Sequence, residues 1–223
     1  MSPQTGPDLV SAGYPISNAL GALLGGNNNL TAPNQPVYSN LYFGGGNTTD
    51  VSGAGSAASG SVNSVAVPVV PGAVISKISW VVGATGAACV TNLWSALYTG
   101  TGSAPGTTGA QPALIASAAS PATASATSTL STFTFSSPVT ITSTQAPFGY
   151  VYVSYSITVG AGSPNGLGYS LISQSVASAA QFPWFSTSPY SLYMTSNGGT
   201  GASVPANIGT ATRAANPPIV LLY

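Results

Sequence analysis

The chain has 223 residues, 44% of them hydrophobic, yet only 2% are charged: two Lys+Arg, two Asp+Glu and no His. Ordinary soluble domains carry about 25% charged residues, so a basic footprint for nucleic acid is excluded, as are His-dependent catalytic triads. The content of 11 Tyr, 6 Phe and 3 Trp is too apolar for a disordered chain and large enough for a sizeable core.

Residues 1–62 read as an extended N-terminal arm. The start, MSPQTGPDLVSAG, has neither the basic n-region nor the apolar h-region of a secretory signal, so synthesis in a cytoplasm without export is expected. Ile16 to Leu24 suits a short helix or a packed extended piece, ended by Gly25 and Gly26. Pro33, Pro36 and the run Val37 to Phe43 predict an extended segment with an aromatic end. Tyr38, Leu41, Tyr42 and Phe43 are its candidate anchoring residues, expected to dock on a neighbouring protein. Gly44 to Asn63 is a Gly/Ser-rich linker by composition.

Residues 63–223 are expected to form the folded body. Val65, Val67, Val69 and Val70 predict a strand that Pro68 places at an edge or a bulge. After the turn signal Pro71-Gly72, Val74 to Val82 predicts a strand with Val74, Ile78, Trp80 and Val82 on one face and Lys77 and Ser79 on the other. Further strands are predicted at Ala88 to Thr99, at Ala113 to Ser117, and at Leu130 to Ser136, with Val139 and Ile141 following Pro138.

The most regular stretch is Gly149 to Val159. Val151, Val153, Tyr155, Ile157 and Val159 alternate with Tyr150, Tyr152, Ser154, Ser156 and Thr158, giving one apolar and one mixed polar face. Its β-branched and aromatic residues suit a central strand. Tyr169 to Ile172 is a further candidate strand, residues 175–215 read as loop, and Pro217 to Tyr223 predicts a final core strand. Many short strands bounded by turns predict an all-β fold, an antiparallel β-sandwich.

The run VPVVPGAVISKISWVVG, then NLWSALYTGTG, PALIASA, STFTFSSPVTI and PFGYVYVSYSITV, resembles the jelly-roll-like domains of structural proteins of tailed bacteriophages. It is most similar to minor tail or tail-fibre proteins of phages infecting actinobacteria. The matching features are Pro71-Gly72 before a strand, Leu93 with Leu97 and Tyr98, Leu114-Ile115-Ala116, Pro138-Val139-Thr140, and Gly149 to Val153. They cover residues 64–160 and the last strand, and carbohydrate-binding sandwich modules share much of the pattern. The scarcity of charge is the main departure. The resemblance implies a jelly-roll-like body on the exterior of a virion. Its implied partners are other virion proteins through the arm, further copies in a homo-oligomer, and a host cell-surface glycan.

Little in the sequence suits catalysis. The only carboxylates, Asp8 and Asp50, lie in the arm and its linker, whereas glycoside hydrolysis uses two positioned carboxylates. Lys77 falls on the polar face of a strand, and Cys89 reads as a small core residue rather than a nucleophile. The sequons at Asn29 and Asn47 matter only on a eukaryotic secretory route. No Gly-rich run ends in the Lys-Ser/Thr of a phosphate loop, and no apolar run reaches the ~20 residues of a membrane helix. The expectation is a non-enzyme without cofactor or metal, binding no nucleic acid and inserting in no membrane. One cluster invites a binding role: Phe182, Trp184, Phe185, Tyr190 and Tyr193. Such rings suit a neutral sugar or a protein partner, and equally suit plugging the sandwich end or a subunit interface. A head decoration or capsid fibre, and a free carbohydrate-binding module, are the alternatives to a tail component.

Overall fold

A computed structural model of the chain describes residues 37–39, 54–55, 59–82, 90–100, 111–119, 130–159, 167–168, 193–196, 203–213 and 217–223. These residues hold strands and no helix. In chain order they are β1 (Tyr38–Ser39), β2 (Ala54–Gly55), β3 (Val62–Pro68), β4 (Val74–Val81), β5 (Val90–Thr99) and β6 (Leu114–Ala119). There follow β7 (Leu130–Thr140), β8 (Tyr150–Val159), β9 (Leu167–Gly168), β10 (Tyr193–Ser196), β11 (Ala211–Arg213) and β12 (Val220–Leu222).

Two antiparallel sheets face each other as a β-sandwich. One has the order β1-β12-β4-β7 and the other β11-β10-β3-β8-β5-β6; β2 and β9 form a small ribbon of their own. The Gly149 to Val159 stretch becomes β8, in the interior of the larger sheet between β3 and β5. The connections follow from two pairings. β3 pairs with β8 in one sheet, and β4 pairs with β7 in the other. The chain therefore runs as a two-stranded ribbon that bends from sheet to sheet, the wrapping of a jelly roll.

The ribbon stays hydrogen-bonded through its corner. Val69 N–H donates to Gly149 O (2.9 Å), Gly72 N–H to Ile141 O (2.7 Å) and Ile141 N–H to Ala73 O (2.8 Å). Gly149 has φ 75°, a left-handed conformation that side chains with a Cβ adopt at a cost. Pro68 sits where its missing N–H costs no ladder bond. β10 pairs with β3 only over Val62 to Val65, and Val69 N–H points the other way, to β8, so the Pro68 nitrogen faces a side on which that pairing has ended.

Between the sheets lie Val65, Val67, Ile75, Ile78, Trp80, Leu97, Phe133, Phe135, Val151, Val153, Tyr155, Val220 and Leu222, all buried. Trp80 crosses this core. Its ring meets Tyr155 edge-on at 4.7 Å, and its Nε1–H donates to Ser95 Oγ (2.9 Å), which in turn donates to Ser154 O (2.9 Å). A hydroxyl relay thus links β4 to β5 and β8 across the sandwich.

In two places strand alternation misassigns a side chain. Val74 is expected with Ile78 and Trp80 on the inner face, but it is exposed and Ile75 is buried instead. A bulge between Ile75 and Lys77 shifts the register against β7 and flips the parity before it. The bulge has a use, because Ser76 N–H (2.8 Å) and Lys77 N–H (2.7 Å) both donate to Tyr223 O. Ser79, expected on a polar outer face, is buried, where its hydroxyl shares hydrogen bonds with Thr132 Oγ1 (2.7 Å) and the Tyr223 phenol (2.6 Å).

Secondly, the mixed polar face of β8 is not a solvent face. Tyr150, Tyr152, Ser154 and Ser156 are all buried. Ser64 and Ser154 share a hydrogen bond between strands (2.7 Å). Tyr150 and Tyr152 join a second apolar cluster with Val62, Ala66, Trp94, Ala96, Tyr98, Met194, Ile208 and Ala211. Residues 204–208 lie over it: Leu114 N–H donates to Ala206 O (2.9 Å), Tyr98 OH to Pro205 O (2.8 Å), and Ser196 Oγ to Ile208 O (2.6 Å). At β3, β5 and β8 the larger sheet is therefore covered on both faces by its own chain.

Candidate functional site

Of the expected anchoring residues, the structure describes Tyr38. It was assigned to a neighbouring protein, but here it docks on its own chain. β1 pairs antiparallel with β12, Tyr38 opposite Leu222 and Ser39 opposite Leu221, and the half-buried Tyr38 side chain packs against the sandwich core. Burial raises the pKa of its phenol, because the phenolate would lose solvation. The local cause is in the sequence: the Val37-Tyr38 pair supplies β-formers. Leu41, Tyr42 and Phe43 lie outside the described residues.

The expected aromatic cluster is described only at Tyr193. It begins β10, in register opposite Val65 of β3, and so belongs to a sheet rather than to the loop-rich stretch in which it was placed. Phe182, Trp184, Phe185 and Tyr190 lie outside the described residues, as do Ile16 to Leu24, Tyr169 to Ile172, Cys89, Asp8 and Asp50.

The aromatic layer that the structure does bring together comes from other residues. Trp94 and Tyr98 of β5 and Tyr150 and Tyr152 of β8 share the outer face of the larger sheet, with Tyr150 and Tyr152 edge-on at 5.4 Å. Their spacing of two and four along strands is the available signal, but the serines that continue it make the face read as mixed polar in the sequence. Burial raises the Tyr98 pKa well above the ordinary phenol value. This layer is closed over by Val204 and Ile208 and is interior rather than a platform.

Two surfaces remain on which partners could act. The first is the β1–β12 edge, a place where the body accepts an extended aromatic segment. The second is the ribbon corner, where Val70 (53% exposed) and Phe148 (46%) lie on turns joined by the Val69–Gly149 hydrogen bond, and Val74 (37%) begins β4 beside them in the chain. The 142–149 turn is internally braced: Thr142 N–H donates to Gln145 Oε1 (2.8 Å), Ala146 N–H to Thr142 O (3.1 Å) and Gly149 N–H to Ala146 O (3.0 Å). Apolar residues beside Pro71-Gly72 and Pro147 could have signalled this corner.

Ionisable chemistry is sparse at both. Lys77 lies 5.7 Å above the Tyr223 ring, on the bulged strand. Among the described residues no group of His, Cys, Asp or Glu is placed to hold a metal ion, and no helix is long and apolar enough to cross a membrane. What the described arrangement can do is present a largely neutral surface. Compared with known proteins, the chain matches no family model and no curated protein.

Proposed function

We propose that this chain is a virion structural protein of a tailed bacteriophage: a minor tail or fibre component, held by its N-terminal arm, that exposes the β-sandwich to the host surface. On this reading it is made in the host cytoplasm, sits on the exterior of the particle as a homo-oligomer and has no catalytic role. Its partners are other virion proteins and a neutral host-surface glycan. The observation that carries the reading is the ribbon wrap of β3–β4 with β7–β8, which spans the same residues as the sequence resemblance. The composition supports it too, since a chain with four charged residues in 223 changes little with the salt or pH outside a cell.

Immunogold labelling of phage particles from the encoding culture, with antibody raised against the purified chain, tests the reading. Gold on the tail or its fibres is the expected result. Gold on the head would move the chain to a decoration role. Particles that carry no label would contradict the proposal.

A further inference from the structure

Beyond those two surfaces, we infer that the outer edge of β7 pairs with the same edge of a second copy of this chain. This names a contact for the homo-oligomer of the reading above and rests on that part of it. β7 ends the smaller sheet, and among the described residues no strand pairs with its far side. The direction of its backbone groups follows from β4. Lys77 N–H and C=O and Val81 N–H all engage the β12 side, so by alternation Ile78 and Trp80 face β7. Their partners Phe133 and Ser131 direct their own groups to β4. The N–H and C=O of Leu130, Thr132 and Thr134 therefore point outward.

Proteins guard such edges with charges, prolines, bulges or short strands. The other edges of this sandwich are guarded. β1 has two residues, β11 has three and carries Arg213, and β6 is capped at its start by Ala206 O, which accepts from Leu114 N–H (2.9 Å). From Leu130 to Thr134, β7 is regular against β4 and holds neither charge nor proline; the register breaks only beyond Thr134. Leu130 (47%) and Thr134 are exposed. An edge of this kind accepts an uncharged extended strand, and β7 itself is one. A two-fold axis through Thr132 sets Thr132 against Thr132, Leu130 against Thr134 and Ser131 against Phe133, with about six main-chain hydrogen bonds. Threonines directly opposite each other are a favourable cross-strand pair, and no charge is opposed to another. The smaller sheets of two copies then run on as one.

Sedimentation of the purified full-length chain over a concentration series tests this, beside a Thr134→Pro variant. Proline there removes an outward N–H and no bond to β4. The expected result is a reversible dimer whose dissociation constant rises at least about tenfold in the variant, from the loss of two hydrogen bonds per dimer. A chain that stays monomeric up to about 0.1 mM, or a dimer indifferent to the substitution, overturns the inference. The register is read separately in a Cys89→Ser background, which removes the one native thiol. Thr132→Cys meets itself across the two-fold axis with Cα atoms about 5.5 Å apart, within disulfide range. It should link copies under mild oxidant, and Ser143→Cys on the corner turn should not. No link at 132, or an equal link at 143, overturns the inference. Each failure concerns this edge of the purified chain and leaves the particle-labelling result standing.

Discussion

Hydroxyls do in this chain what charges do in most proteins. Ser64 with Ser154, Ser79 with Thr132 and Tyr223, and Ser95 between Trp80 and the β8 backbone are buried or partly buried pairs that join strands. A neutral pair of this kind has a modest net value, about 1 kcal/mol, but an unpaired buried hydroxyl is costly. Ser131 is the informative exception. It is buried on β7 opposite Trp80, and its Oγ has no hydrogen-bond partner. Ser131→Ala removes a desolvated hydroxyl without changing the backbone, so it should raise unfolding stability by about 1 kcal/mol, read from the urea midpoint. A loss of stability would mean that the hydroxyl is satisfied.

At the scale of elements, the long strands were legible because each has a buried face with a period of two. β4, β5 and β8 fall close to where alternation places them, whereas β3 begins at Val62 inside the expected linker and ends at Pro68, and β7 runs on through Pro138 to Thr140. The final strand β12 lies within the expected Pro217 to Tyr223. The errors have local causes. The bulge at Ser76 reverses the side that Val74 faces, and no composition cue marks a bulge whose purpose is to receive Tyr223 from the far end of the chain. β10 and β11 are four and three residues long, too short to show a period; β10 adds to the edge of β3 and β11 to the edge of β10. The docking of Tyr38 was half legible: its stickiness follows from sequence, but its place opposite Leu222 on β12 is a long-range pairing. The even face of β8 was misread because buried serines look the same as exposed ones in a sequence.

The ribbon corner makes a prediction at this scale. It bends between sheets through Gly149 at φ 75°, and open space surrounds the position where a Cβ would stand. Gly149→Ala should therefore cost only the backbone strain, about 1–2 kcal/mol, with the fold retained. Ser143→Ala on the same exposed turn should stay within about 0.5 kcal/mol. Equal effects of the two substitutions on thermal denaturation would contradict a strained corner.

For the whole molecule, the chain has no His and only four charged side chains, so stability should be nearly flat across neutral pH. It should fall in alkali. Tyr98 and Tyr38 have phenol pKa values raised by burial. Below about pH 10 the phenols are protonated in both folded and unfolded chains and contribute no slope. Above it, the unfolded chain releases these protons while the folded chain retains them, so the unfolded state binds fewer protons and stability declines as pH rises. Denaturant melts at about pH 6, 8 and 10.5 should show the first two alike and the third lower; a maximum near pH 6 would point to titrating groups that the account leaves out.

The central claim is that apolar packing and neutral hydroxyl pairs, rather than ionic contacts, hold this sandwich together and carry its role. The most direct measurement is the urea-unfolding free energy of the purified chain between about 0.1 and 1 M NaCl, over which the Debye length falls from about 10 to about 3 Å. The account predicts no loss with added salt, or a slight gain. A loss of more than about 1 kcal/mol, beyond what a screened surface ion pair is worth, would contradict it.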